Sequence, residues 1–207
     1  MPGPLDPKDI EARSFAILTQ ELGPRTFPPE IAPIVYRTIH TTADFSYADT
    51  LVFSPHAVEQ GLDALRAGCD IVTDTQMAKA GINKTALASL GGQVHCFMSD
   101  PDVAQEAARR GVTRATVSME RAAALDKPCL FAIGNAPTAL LHLLQLAQEG
   151  KVRPALVIGV PVGFVNVVES KELLLASPLP HIVARGRKGG SNVAAAICNA
   201  LLYQLTR

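Results

Sequence analysis

From Gly68 onward the sequence repeats one pattern that few folds accommodate: short, mainly apolar runs separated by longer amphipathic stretches. The runs are Asp70–Thr73, Val94–Met98, Cys129–Ile133, Ala155–Val160 and His181–Ala184, each bounded by Gly, Pro or Asp. A strand is apolar at successive positions only when both of its faces are covered, so these runs predict buried strands of a parallel sheet. The stretches between them, Pro101–Arg110, Arg114–Leu125, Pro137–Gln148 and Val165–Ala176, with Ser191–Leu205 after the last, predict helices. Strands alternating with helices of this length give an α/β fold: three layers, α/β/α, around five mainly parallel strands. Right-handed crossovers then bring the C-terminal ends of the strands to one edge of the sheet.

The part before Gly68 reads differently. Ile10–Leu22 and Pro28–His40 carry apolar residues on one helical stripe, and Gly23-Pro24 stops the first of them. Ser54-Pro55 looks like an N-cap followed by a first-turn proline, opening a third helix that ends at Gly68. With 207 residues and 48% hydrophobic content, the chain suits one domain over 1–207, helical over 8–68 and α/β over 69–205.

Ligands of open α/β sheets bind beyond the strand C-termini, so the turns at that edge are where function is expected. The most suggestive is Arg185-Gly186-Arg187-Lys188-Gly189-Gly190-Ser191, in which three cations precede a helix start. Backbone N–H groups there, with Arg and Lys, suit a phosphate or carboxylate; a solvated glycine turn is the competing reading. Gly134-Asn135-Ala136-Pro137-Thr138 has the same form without the charge, and Asn135 is a candidate cap for the helix that follows.

Several functions are disfavoured. Lys+Arg and Asp+Glu both number 19, so no global basic field exists for nucleic acid, and countercharges for any anionic ligand must be local. No G-x-G-x-x-G follows a strand run, and neither a phosphate-binding G-x-x-x-x-G-K-[ST] nor a G-x-S-x-G nucleophile elbow occurs. Cys69, Cys96, Cys129 and Cys198 form no C-x-x-C pair and read as buried thiols of a reducing compartment. The histidines lack metal-ligand spacing, so no protein-held metal is expected. Nor is any secretory leader or membrane span, which makes the expected location cytoplasmic. Among the histidines, His95, His142 and His181 read as satisfied structural residues and His56 as exposed. His40 differs, because it closes an apolar helix and leads into the small polar turn Thr41-Thr42-Ala43-Asp44.

Taken together, Arg13-Ser14-Phe15, Ile39-His40-Thr41-Thr42-Ala43-Asp44-Phe45, Ala132 through Ala139, Pro161 through Val165 with Glu169-Ser170-Lys171, and Arg185 through Ser191 closely resemble the precorrin-8X / cobalt-precorrin-8 methylmutase family. The similarity runs in register from Arg13 to Leu201; each motif alone is weak, and the five in order are specific. The resemblance implies a homodimer holding a corrinoid at the subunit interface and moving its C-11 methyl group to C-12, which gives cobyrinate from cobalt-precorrin-8 or hydrogenobyrinate from precorrin-8X. It implies that His40 is catalytic and that Ser14 and Arg114 contact substrate. Arg13, Lys171, Arg185 and Arg187 then suit the acetate and propionate groups of such a substrate, and Asn135 joins the substrate-binding set. It also suggests a strand order of 3-2-1-4-5, numbering the five runs along the chain. No cofactor is implied, since any cobalt arrives inside the substrate. The wording after His40 looks more like the cobalt-using branch.

The chemistry fits the resemblance. A methyl shift around a conjugated ring needs electron demand, which a proton or strong hydrogen bond to a ring nitrogen supplies, and imidazole, titrating near about 6.5, is suited to give it. Two other functions share the same motifs: a corrinoid carrier without catalysis, and an α/β enzyme for a small phosphorylated metabolite seated at Gly189-Gly190-Ser191.

Overall fold

The computed structural model describes residues 7–207, with side chains from Ile10 onward; the expectation about a leader in residues 1–6 lies outside them. The chain enters through α1 (Pro7–Leu22), α2 (Ala32–Thr42), the short α3 (Tyr47–Thr50), β1 (Leu51–Phe53) and α4 (Ala57–Arg66). There follow β2 (Asp70–Thr73), α5 (Gln76–Gly81), α6 (Lys84–Ser89), β3 (Val94–His95), α7 (Pro101–Arg110) and α8 (Arg114–Ala123). The last third comprises β4 (Cys129–Ile133), α9 (Pro137–Gln148), β5 (Leu156–Gly159), α10 (Val167–Leu175), β6 (His181–Ala184) and α11 (Ser191–Thr206).

All five predicted strands form, and they alternate faces as buried strands must. Ile71, Leu130, Leu156, Ile158 and Ile182 point into a layer with α2, α4 and α11. Val72, Phe131, Ile133, Val157 and Val183 point the other way, into a layer with α8, α9 and α10. α11 is apolar on nearly every side because the sheet lies beneath it and α2 packs across it. On α2 the stripe Ile34, Val35, Thr38 and Ile39 is buried, which leaves His40 facing outward. The four cysteines are buried and unpaired, and burial pushes the thiols of Cys69 and Cys129 up to about 12 and about 11.

The sheet corrects the expectation in two respects. It has six strands in the order β1-β6-β5-β4-β2-β3. The additional strand, β1, pairs antiparallel with β6, Leu51 opposite Ala184. Three residues at a sheet edge carry too little pattern to stand out from the helices around them. The five predicted runs therefore order as 2-1-3-4-5 rather than 3-2-1-4-5. Both orders satisfy right-handed crossovers, and the runs themselves contain nothing that separates the two. Local boundaries also move. Ser54 does not cap a helix: its hydroxyl accepts the N–H of His181, and α4 starts at Ala57 with His56 in a left-handed conformation. Residues 28–31 form a turn before α2, and the short helices α5 and α6 lie between the first two runs, where no helix was expected.

At the C-terminal edge the loops pack backbone to backbone. A Cβ on Gly134 would lie 2.8 Å from Gly190 O and from Ser191 Cα, and one on Gly189 would lie 2.1 Å from Val160 O. Neither glycine has a positive φ, so closeness of approach is the reason for each. Gly134→Ala is expected to lower stability by about 1–3 kcal/mol, the usual range for overpacking, measured by urea denaturation.

Candidate functional site

In the order 2-1-3-4-5 the chain reverses direction between β2 and β4, whose following helices leave onto opposite faces of the sheet. The crevice opened there is where such sheets take a ligand. Here a side chain of the protein fills it. Asp74, directly after β2 and 1% exposed, accepts the N–H groups of Gly134 (2.9 Å), Asn135 (2.8 Å) and Ala136 (2.6 Å). These amides lead into α9, which has Pro137 in its first turn and no side-chain cap of its own. Burial pushes the Asp74 carboxyl up, and the three amides pull in the other direction. Beside it, the hydroxyls of Thr75 and Ser191 meet at 2.7 Å and tie the loop after β2 to the start of α11. Asn135 was expected to cap α9; Asp74 takes that role, leaving the Asn135 side chain exposed at the edge. An Asp ending a buried strand run was the visible signal for this residue, and its partner lay sixty positions away.

The loop after β6 carries the expected cations, and the structure commits most of them internally. Arg185 makes a two-pronged pair with Glu172 at 2.8 and 2.7 Å. Lys188 reaches Asp44 at 2.6 Å and the Ser46 hydroxyl at 3.0 Å. Arg187 is exposed and lies 5.5 Å over the Phe164 ring. The expected substrate cation Lys171 is different again. It is fully buried, with its ammonium donating to the carbonyls of Gly186 (2.8 Å) and Lys188 (2.7 Å), and burial pushes its pKa down to about 8. A sequence reading sees a lysine on an amphipathic helix and cannot see that it points inward.

His40 sits one turn from the end of α2, which closes through the N–H of Ala43, in left-handed conformation at φ 53°, donating to Ile39 O. Its ring is exposed and stacks on Phe15 of α1, with centroids 4.9 Å apart and planes 10° from parallel. Arg37, one turn earlier, holds Glu11 at 2.9 Å and lies 5.4 Å over the same Phe15 ring. That pairing keeps the Glu11 carboxyl below its usual range. Arg13 and Ser14 precede Phe15 on α1; Arg13 is exposed and Ser14 half-buried. A 360 Å³ recess lined by Phe15, Tyr36, Arg37 and Tyr203 adjoins the stack.

The structure thus brings Phe15 and His40 together, with Ser14 next to Phe15 on α1. Through Lys188 and Asp44 it joins that place to the loop of Arg185 and Arg187, which contacts the Gly134–Asn135 turn. Exposed apolar side chains stand at the same sheet edge: Met77 in the first turn of α5, and Val162, Phe164 and Val165 in the loop after β5. Arg114 stands apart: it opens α8, in the layer on the opposite face of the sheet from α2. The remaining histidines have partners or are exposed, as their sequence settings suggest. His95 bonds Asp70 (2.9 Å), His142 bonds Glu120 (3.1 Å), His181 bonds Leu179 O (2.8 Å), and His56 is solvent-exposed. Among the described residues, no three His, Cys, Asp or Glu side chains converge as a metal site, and no helix is long and apolar enough to cross a membrane.

The fold is a doubly wound α/β sheet whose crevice is filled by its own Asp74, with an exposed imidazole stacked on an aromatic ring and an arginine nearby. The comparisons with known proteins assign it to a family. The family model for CbiC, precorrin-8X methylmutase, matches residues 9–204. The chain is 51% identical to the cobalt-precorrin-8 methylmutase of Salmonella typhimurium, covering 96% of each. It is 47% identical to the cobalt-precorrin-8 methylmutase of Priestia megaterium, covering 95% of this chain and 88% of that one. A relative named for the other substrate form, the precorrin-8X methylmutase of Pseudomonas aeruginosa, is 38% identical over 95% of both. The crystal structure of precorrin-8x methyl mutase from Thermus thermophilus superposes with a TM-score of 0.87 at 43% identity, covering 96% of this chain and 98% of that one. The chain belongs to the precorrin-8X methylmutase family. It is an isomerase of cobalamin biosynthesis that moves a methyl group within its substrate.

Asp74 supplies acceptors to three amides from one side chain, and truncating it leaves them without partners. Asp74→Ala is expected to destabilise the fold by about 3 kcal/mol, with Asp74→Asn, which keeps one acceptor oxygen, losing less. Equilibrium unfolding of both variants checks the order.

Proposed function

We propose that the chain acts on cobalt-precorrin-8, moving the C-11 methyl group to C-12 to give cobyrinate, with His40 as the group that polarises the ring. The observation that carries this reading is the His40 ring itself: outward-facing, stacked flat on Phe15, and set between two basic neighbourhoods. A proton or strong hydrogen bond from the imidazole to a ring nitrogen withdraws electrons from the conjugated system, and the methyl group migrates without a redox partner or nucleophile. Phe15 fixes the plane of the ring, and Ser14 adds a hydroxyl beside it. Arg13 and Arg187, both exposed, suit the carboxylate side chains of the substrate. Asn135 offers an amide at the sheet edge, and Arg185 retains donor capacity beyond its pair with Glu172. No cofactor enters this chemistry; cobalt is carried by the substrate. Preference for the cobalt form is supported by the higher identity to relatives named for it, 51% and 47% against 38%.

The working unit in this reading is a homodimer in the cytoplasm, each copy folding as one domain. Two features support the dimer. The recess lined by Phe15, the ring that stacks on His40, has 360 Å³, at the low end of the roughly 300–1,000 Å³ that enclose drug-sized ligands, and a corrinoid acid is larger. Arg114 opens a helix in the layer on the opposite face of the sheet from His40, an arrangement suited to a site shared between two copies. The reading as an enzyme of phosphorylated metabolites loses its support, because Asp74 fills the crevice and two of the three loop cations already hold carboxylates.

His40→Ala is expected to lower turnover about 10²–10⁴-fold, the usual contribution of general acid catalysis, while the visible spectrum of bound corrinoid persists. His40→Asn keeps a hydrogen-bond donor and loses the transferable proton; near-normal turnover in that variant would assign the role to the hydrogen bond alone. A carrier without catalysis would show binding and no turnover in the unaltered protein. Arg114→Ala and Arg187→Ala should each weaken corrinoid binding by about 1–3 kcal/mol in a spectroscopic titration. Light scattering at micromolar concentration should report a dimer.

A further inference from the structure

Lys171 is the least expected charge in the molecule. Its side chain is fully buried, and its hydrogen bonds go to two backbone carbonyls, Gly186 O and Lys188 O. Placing an ammonium inside a protein is unfavourable unless something is gained by fixing its acceptors. The acceptors lie two residues apart in the loop between β6 and α11, a segment that turns through Gly186 at φ 84° and is held elsewhere by backbone hydrogen bonds at Arg185, Arg187 and Gly190. Pinned at both points, the loop has a defined direction, and the side chain of Lys188 leaves it toward α2.

There Lys188 donates to Asp44 Oδ2 and to the Ser46 hydroxyl. Asp44 is held from within its own turn as well: its Oδ1 accepts the N–H of Ser46 at 3.0 Å, and its N–H donates to the Thr42 hydroxyl at 3.2 Å. Thr42 in turn bonds Thr38 O in the body of α2. From the buried ammonium to the last turn of α2, every link is a hydrogen bond or a short stretch of backbone, and that last turn carries His40.

We propose that Lys171 and Lys188 are positioning residues for the methyl migration, fixing the His40 turn against the arginine-bearing loop through the Lys188–Asp44 bridge. The proposal rests on the reading of His40 as the proton donor. It gives the two lysines a role other than binding substrate carboxylates. The imidazole and the carboxylate-binding loop come from opposite ends of the sequence, and the distance between them must match the spacing between a ring nitrogen and the side chains at the rim of the substrate. A misplacement of about 1 Å can lower a rate by as much as 10²-fold. An exposed ion pair contributes little to stability. Lys188 and Asp44 are 58% and 30% exposed, so catalysis should feel their separation far more than the fold does.

The test is steady-state kinetics of the full-length enzyme with its corrinoid substrate for Lys188→Met, Lys188→Arg, Asp44→Asn and the Lys188→Met/Asp44→Asn pair, with His40→Ala in parallel. Lys188→Met is expected to lower kcat about tenfold or more, short of the 10² limit for small misplacements, with KM within about threefold and Tm nearly unchanged. Lys188→Arg should restore most of kcat, since a guanidinium reaches the same carboxylate. The double variant should be no worse than the more impaired single one, because both changes break one bridge. Lys171→Met should share the kcat loss; if it does not fold, the exposed Lys188 variants still decide. A raised KM with intact kcat would overturn the proposal by making Lys188 a substrate contact. A lowered Tm with intact kcat would overturn it by making the bridge purely structural. If His40→Ala itself retains turnover, the reading of His40 fails first; if His40→Ala is inactive and Lys188→Met is not impaired, the positioning proposal fails alone.

Discussion

The Asp74 carboxylate, set against three consecutive amides at the point where the sheet reverses, is the contact on which the functional edge depends. Helix starts leave N–H groups unpaired, and in doubly wound sheets a ligand phosphate often satisfies them. Here the protein satisfies them internally, from a strand that neighbours the one feeding the helix. Two outcomes follow from one carboxylate. The β2 and β4 loops are locked together, which lets Gly134 nest against Gly190 and Ser191, and the seat a nucleotide would use is closed. In the proposed reading function is displaced from the crevice toward the end of the sheet, where the turn after α2 and the loop after β6 meet.

That displacement explains how a chain with no net charge serves an anionic substrate. Charges are assigned locally: Arg185 to Glu172, Lys188 to Asp44, Arg37 to Glu11, with Arg13, Arg114 and Arg187 exposed. The paired cations shape the surface, and in the proposed reading the exposed ones meet substrate carboxylates. Apolar side chains at the same edge, Phe164 and Val165 most exposed among them, suit the faces of a conjugated ring.

The fold class was legible because buried parallel strands leave continuous apolar runs; all five form, four at nearly the expected boundaries and the second cut from Val94–Met98 to Val94–His95. What escaped was information carried between distant segments. β1 is three residues long and exists only because β6 offers an edge to pair with. The strand order is set by which crossover passes behind β2, a choice that no run records. Among site residues, His40 was accessible through its setting at the end of an apolar helix and through the family resemblance. Lys171 illustrates the opposite case: its charge marked it as a ligand contact, while burial and two carbonyls make it a clamp. Asn135 and Asp74 exchange roles for the same reason, since the better acceptor comes from sixty residues away.

Both ends of the sheet are cut short. β1 closes one side with three residues and β3 the other with two. Unpaired strand edges invite neighbouring chains to add on, and a row this brief offers too few donors and acceptors to template another strand. Growth by sheet continuation, the route that leads to ribbons and fibres, is therefore closed at both margins. Copies of this chain are left to meet through side chains on helices and loops, where the geometry of the contact, and not strand pairing, sets how many join.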